Sequence, residues 1–274
     1  MNFAEFFQYH LAALELDEIR FNVAIPVMVA ERAGRTAGLQ HWTLGAPGHC
    51  AIRSPGRSIL LGALDGDECR QLARGLGGPA CPGVMGSGGT AGWFVEEAAL
   101  HGVAFGEIIS QRIHALTEAP RYPGAEGSAR TVTPEDAPLL FEWMREFHRE
   151  AVPHDPAPQR EDIGKAAASG RYLFWTVAGE PVSMAAIVRS LKTVAAIGAV
   201  YTPPGKRGRG YAGSVTAAVS ERIFAEGKRA ACLYADLDNP HSNRCYAKVG
   251  FKPYCDSWQY LRLPEASSPE PEAS

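Results

Sequence analysis

Apolar positions in the second half of the chain fall into a legible succession of periods. A short strand pattern at 130–132 runs into Thr133-Pro134-Glu135-Asp136, which carries the marks of a helix start. Thr suits the N-cap, Pro the first helical position, and the acids the first turn. Leu139, Leu140, Trp143, Met144 and Phe147 then recur at helical spacing and predict a helix over 135–150. A weaker helix is predicted over 160–168, stopped at Gly170. Residues 172–178 and 181–189 alternate as strands about a Gly179-Glu180 turn, which makes a hairpin. A strand over 193–201, a glycine-rich turn and an amphipathic helix over 214–226 follow. A strand over 231–235, a helix over 240–249 and two closing strands, 251–255 and 258–263, complete the pattern. The order β-α-α-β-β-β-α-β-α-β-β predicts an α/β or α+β domain built on a mixed sheet.

The first half reads less sharply. Helices are predicted over 4–14 and 17–32, and short strands over 39–44, 49–53 and 58–63. A helix over 67–75, a glycine turn over 82–89, a helix over 90–101 and a strand over 105–116 come next. Three strands, a glycine turn and a helix also occur in that order in the second half. An internal duplication and an unrelated α/β lid both fit. Residues 118–128, rich in Pro, Gly and Ala, make the best linker. The last residues, 264–274, hold only Pro, Glu, Ser and Ala and have nothing to bury, which predicts a disordered tail. These boundaries give domains 1–125 and 126–263 before that tail.

Composition narrows the class. The 274 residues are 46% apolar and 21% charged, with a net charge of −3. That balance gives no push toward nucleic acid or an anionic membrane. The start, Met1-Asn2-Phe3-Ala4-Glu5-Phe6-Phe7, lacks the basic-then-apolar build of a secretory signal, and no apolar run is long enough to span a bilayer. The six cysteines form no CxxC pair and are too sparse for a disulfide scaffold. Reduced thiols in a cytoplasmic protein are expected, with no metal and with Cys232 buried in a strand.

The chemistry concentrates after residue 200, in Val200-Tyr201-Thr202-Pro203-Pro204-Gly205-Lys206-Arg207-Gly208-Arg209-Gly210-Tyr211-Ala212-Gly213. A strand, a glycine turn and a helix start together make an anion site, because glycines admit a phosphate and first-turn amides point at it. Residues 208–213 fit G-x-G-x-x-G, and Asp236 ends the next strand. A dinucleotide fold, however, needs its first glycine directly after the strand, and six residues intervene here. A Walker loop fails too, since no Lys-Ser/Thr follows the last glycine.

Arg207-Gly208-Arg209-Gly210-Tyr211-Ala212 fits [QR]-x-x-G-x-[GA], and in this it resembles the acyl-CoA pyrophosphate loop of the GNAT (GCN5-related) N-acetyltransferase superfamily. The segment Asp238-Asn239-Pro240-His241-Ser242-Asn243-Arg244-Cys245-Tyr246-Ala247-Lys248-Val249-Gly250-Phe251 is similar to that family's closing segment, an Asn followed by a helix ending Tyr-x-x-x-Gly-Phe. The likeness covers about 129–263, and over its whole length the chain resembles bacterial members with a degenerate N-terminal GNAT-like half. The resemblance implies a mostly antiparallel sheet flanked by helices, in one copy or two. It also implies transfer of an acetyl group from acetyl-CoA to an amine by direct attack, in a monomer or homodimer. Gly208, Gly210, Tyr211, Ala212 and Gly213 would hold the pyrophosphate through backbone amides, with Arg207 and Arg209 adding charge. Val200, Tyr201 and Thr202 would pair with the pantetheine arm, and Asn239 and Asn243 would touch it. Tyr246 would protonate the leaving thiolate. Strand 193–201 has no carboxylate where many relatives place a base, which leaves Asp236, Asp238, Glu142, Glu146, His148, Glu150 or a water chain. Two rival readings stay open: an acyl-CoA sensor without turnover, and an NAD(P)-binding oxidoreductase.

Overall fold

The computed structural model describes residues 1–76 and 81–264, and the expected tail beyond 264 lies outside them. The chain divides into two compact units: residues 1–111 with the chain from 255 on, and residues 112–254.

The first unit opens with α1 (Phe3–Leu14), started by an Asn2/Glu5 capping box and burying Phe6, His10 and Leu14. The helix predicted over 17–32 is broken. A 3₁₀ turn at Glu15–Asp17 precedes α2 (Ala24–Arg32). Between them the buried Asn22 side chain donates to the Ile19 carbonyl at 2.7 Å, a local bond that competes with helical pairing. Strands β1 (Gln40–Thr43), β2 (Cys50–Arg53) and β3 (Ile59–Leu61) form an antiparallel meander. Helix α3 (Gly66–Gly75) then carries the chain over to β4 (Gly83–Ser87), which lies parallel to β3. The glycine-rich stretch expected to be a turn at 82–89 is therefore a strand with a short turn behind it. Its glycines serve close approach: a Cβ on Gly83 would sit 2.7 Å from the Tyr260 carbonyl. Helix α4 (Thr90–Leu100) follows, then β5 (Phe105–Leu116), whose end from Arg112 on belongs to the second unit.

The second unit begins its meander with β6 (Ser128–Thr131). A 3₁₀ turn capped by Thr133 leads into α5 (Ala137–Ala151), and α6 (Arg160–Ala168) follows. Strands β7 (Tyr172–Val177), β8 (Glu180–Ser190) and β9 (Val194–Tyr201) run antiparallel in sequence. The β7–β8 hairpin turns on Ala178 and Gly179, both at positive φ, one residue earlier than expected. Helix α7 (Tyr211–Ala225) leads to β10 (Ala230–Asp236), parallel to β9. Helix α8 (Pro240–Val249) and β11 (Lys252–Arg262) finish the described chain. The two closing strands expected from the sequence are one, because polar Ser257 pairs with Ser87 of β4 within the ladder.

The sheet of the second unit is covered on both faces. Met184 and Ala186 pack with Leu140, Trp143, Phe174 and Tyr201, while Ala185 and Ile187 pack with Val215, Ile223, Leu233 and Phe251. This alternation follows from the two-residue strand repeat. It explains why β8 and β9 read as nearly continuous apolar runs. Among the described residues no disulfide joins the six cysteines, and Cys232 is buried in β10 as expected. Among the described residues no helix is long and apolar enough to cross a membrane.

Candidate functional site

The parallel pair β9–β10 comes apart before either strand ends. Its register runs from Ala230↔Val194 to Leu233↔Ile197, yet β9 continues to Tyr201 and β10 to Asp236. The cause is local. Between the partners Ala186↔Gly198 and Met184↔Tyr201, β9 holds one residue more than β8, so a bulge forms. Ala199 sits in this bulge at φ 51°, a left-handed conformation unusual for a residue with a Cβ. Beyond it, the Ser183 hydroxyl bonds the Tyr201 carbonyl at 3.0 Å and the Thr202 hydroxyl at 2.9 Å, which ties the strand end to β8. Residues Gly198–Tyr201 thus leave a gap toward β10 in which backbone groups lack a strand partner. Val200, Tyr201 and Thr202, the residues proposed to meet an extended arm, line its far end.

The chain then turns through a 3₁₀ segment at Pro204–Lys206 into the start of α7. Gly208 and Gly210 have φ of 79° and 84°, conformations that glycine adopts without strain. Gly210 is the N-cap of α7, and among the described residues no side-chain cap bonds the first-turn amides. The amides of Tyr211, Ala212 and Gly213 therefore stand open, with no acid in the turn and with Lys206, Arg207 and Arg209 before it. Open space surrounds Gly208, but not Gly213. A Cβ on Gly213 would lie 2.6 Å from the ring of Tyr122.

Arg207 is folded back. Its Nε donates to the Thr202 carbonyl at 2.8 Å, its Nη2 pairs with Glu150 of α5 at 2.6 Å, and its guanidinium lies 5.8 Å from the Tyr201 ring centroid. Burial first, and then the nearby Glu150 and Glu146, push the Tyr201 phenol above its ordinary pKa. Of the carboxylates considered from sequence, these two therefore gather at the open end of β9. Asp236 instead accepts from the Asp238 amide, and the His148 ring bonds the Asp155 carbonyl.

On α8, Asn239 is the N-cap and accepts from the Ser242 amide at 3.0 Å. Asn243 donates to the carbonyls of Asp236 and Asn239, both at 2.8 Å, and so holds the β10–α8 turn in shape. Tyr246 is 8% exposed, packed edge-on against Phe251 at 6.3 Å. Among the described residues its hydroxyl has no hydrogen-bond partner, and it still reaches solvent. Burial, with a smaller effect of the Cys245 thiol, pushes the phenol well above its ordinary value. It stays protonated through the neutral range. Neither the Glu150–Arg207 pair nor Tyr122 has a local sequence signal, because both join residues far apart in the chain.

Residues 176–263 match the family model described as FR47-like protein. No curated protein matches the chain. Among solved structures, a GCN5-related N-acetyltransferase from Kribbella flavida covers 88% of this chain and 96% of its own, with TM-score 0.54 and 16% identity. This is the GNAT fold. A Drosophila protein solved by a structural genomics consortium extends the likeness to 97% of this chain and 98% of its own, at TM-score 0.66 and 16% identity. A tandem GNAT protein from the clavulanic acid biosynthesis pathway covers 94% and 96%, at TM-score 0.53 and 15% identity. The match between halves differs from the one expected. In the first unit, the counterpart of the loop before α7 is 62–65, between β3 and α3, while the glycines at 83–89 fall on β4 and its turn.

Proposed function

We propose that the second unit transfers an acetyl group from acetyl-CoA to an amine by direct attack. The observation that carries this reading is the split of β9 from β10 beside an uncapped helix start. The split suits an extended amide-bearing arm, which would pair with β9 as an added strand. The helix start suits a diphosphate, held by the amides from Gly208 to Gly213 with Arg209 adding charge. Arg207, tied to Thr202 and Glu150, sets the shape of the loop. Asn239 and Asn243 shape the wall of the split next to α8 and touch the arm from there.

The residues divide the proton work in two. As the amine attacks the thioester carbonyl, the carbon–sulfur bond breaks and the thiolate takes a proton from the Tyr246 hydroxyl. A phenol that burial keeps protonated and that has no internal partner suits this task. The ammonium of the acceptor loses its protons toward Glu146 and Glu150, the acids beside the open end of β9, directly or through water. One observation favours a sensor without turnover. Residues 194–201 carry no carboxylate, and Glu150 is held by Arg207.

Calorimetry with acetyl-CoA and NADH, and thiol release across a panel of amines, test the reading. Binding of acetyl-CoA with amine-dependent thiol release is expected. Binding without release on any amine supports the sensor, and binding of NADH in place of acetyl-CoA overturns both.

A further inference from the structure

The segment expected to be a loose linker follows a fixed path across the candidate site. Residues 117–127 form no helix or strand, yet they are anchored at three points. The Tyr122 hydroxyl donates to the Gly210 carbonyl at 3.3 Å, and the Ala125 amide donates to the Ser214 hydroxyl at 2.8 Å. The Trp175 indole donates to the Glu126 carbonyl at 2.9 Å. Two glycines allow the path. Gly124 has φ 74°, and Gly127 has φ 119° at a place where a Cβ would strike β7. Gly213 needs no side chain because the Tyr122 ring occupies that place. Burial, and to a lesser degree Cys245 of α8, raise the Tyr122 phenol. The half-buried ring lies against the first turn of α7.

We propose that Tyr122 is a stacking platform for the adenine base of the acyl-CoA donor, supplied by the irregular segment between β5 and β6 of the second unit. This rests on the acetyl-CoA reading above. In CoA the diphosphate is esterified to the adenosine 5′ carbon. A diphosphate held at the amides of Gly210 to Gly213 thus leaves its purine one sugar away, where the flat side chain beside the cradle is Tyr122. Two further features of the same unit call for a long ligand: the opened β9–β10 pair, and the hydroxyl of the largely buried Tyr246, which has no partner among the described residues. Purine–aromatic stacking is sequence-tolerant and strong enough to read, about fivefold to 150-fold in affinity.

The experiment compares two probes by calorimetry on the full chain: acetyl-CoA, and S-acetyl-4′-phosphopantetheine, which lacks the nucleotide. Tyr122→Leu keeps bulk without a π face, and Tyr122→Phe keeps the ring without the Gly210 bond. The Leu variant should bind acetyl-CoA at least about fivefold more weakly and the truncated probe within about twofold of wild type. The Phe variant should match wild type on both. Equal acetyl-CoA affinity in the Leu variant, or equal loss on both probes, overturns the platform and leaves Tyr122 a plain anchor. If the Leu variant does not fold, ring-labelled wild type decides, with the Tyr122 signal assigned through the Phe variant. An upfield shift on adding 3′-phosphoadenosine 5′-phosphate supports stacking, and an unmoved signal overturns it. Wild type that binds neither acetyl probe overturns the acetyl-CoA reading itself, and the inference with it.

Discussion

Tyr246→Phe separates a catalytic phenol from a packing one, because the hydroxyl has no hydrogen-bond partner among the described residues. The ring packs on Phe251 and joins the core with Val249 and Leu233, all of which Phe preserves. The hydroxyl makes no hydrogen bond among the described residues, so its removal strands no buried group. Stability should change by less than about 1 kcal/mol, or less than about 4 °C in melting temperature. Turnover should respond very differently. A positioned general acid contributes about 10²- to 10⁴-fold, and a fall of that size in kcat, with acetyl-CoA affinity unchanged, is expected from thiol-release kinetics. An alkaline signature adds a check. The folded phenol is raised above its unfolded value near 10, so its contribution to stability is complete below about pH 10. It is lost as pH rises from there toward the folded value, by up to about 1.4 kcal/mol per pH unit. The Phe variant lacks that slope. Turnover within about threefold of wild type would refute the acid role. A large loss of stability would refute the unpartnered hydroxyl.

Three further outcomes follow from the same geometry. Glu150→Gln removes the charge facing Arg207 and Tyr201 from a partly exposed pair, so melting should shift little. The kcat/KM for amine should fall at least about tenfold while acetyl-CoA affinity stays within about threefold, and unchanged amine kinetics would remove Glu150 from the acceptor side. Asp136→Asn breaks the bonds of 2.6 and 2.8 Å from Arg130 and weakens the Thr133 capping box, at a cost of about 1–3 kcal/mol by chemical denaturation. Arg130 holds the Asp136 carboxyl at about 2, so its contribution is complete above about pH 3.9 and is lost as pH falls through about 2. Acid melts of the Asn variant should lack that component. Calorimetry should find one acetyl-CoA per chain, and two equivalent sites would contradict the closed helix start in the first unit.

The second half was legible because its elements announce themselves locally. The α6 and α8 bounds, the hairpin and the strand before the loop all follow from caps, glycines and periods within a few residues. The errors came where long-range packing overrides local chemistry. Glycines at 83 and 86 read as a turn, yet they sit in a strand so crowded by Tyr260, Ser58 and Thr90 that no side chain fits. Residues 118–128 read as a linker because nothing in them is apolar and periodic. Their fixed path is set by single bonds to Gly210, Ser214 and Trp175, in elements remote in sequence. The loop motif identified the glycines correctly as special but gave them a single reason. Gly208 has open space around it, whereas Gly213 makes room for Tyr122.

The two units make the same strand–helix–strand crossover and give its helix start opposite character. After β9, α7 begins at a glycine with open amides, preceded by Lys206, Arg207 and Arg209. After β3, α3 begins at Asp65, whose carboxylate accepts from the Glu68 amide while Glu68 returns a bond to the Asp65 amide. Asp67 adds a third acid to that turn, and Glu68 also holds His49 at 2.7 Å. A capping box of this kind satisfies the amides that a phosphate would need. The surrounding carboxylates would repel such an anion as well. Asp65 and Glu68 stabilise α3 by the means that remove it as an anion site, whereas α7 forgoes a side-chain cap. With glycine as its cap, α7 is less stabilised than α3 by roughly a few tenths of a kcal/mol, unless a ligand supplies the bonds. One unit with a capped helix start and the other with an open one is what the proposed single donor site per chain requires.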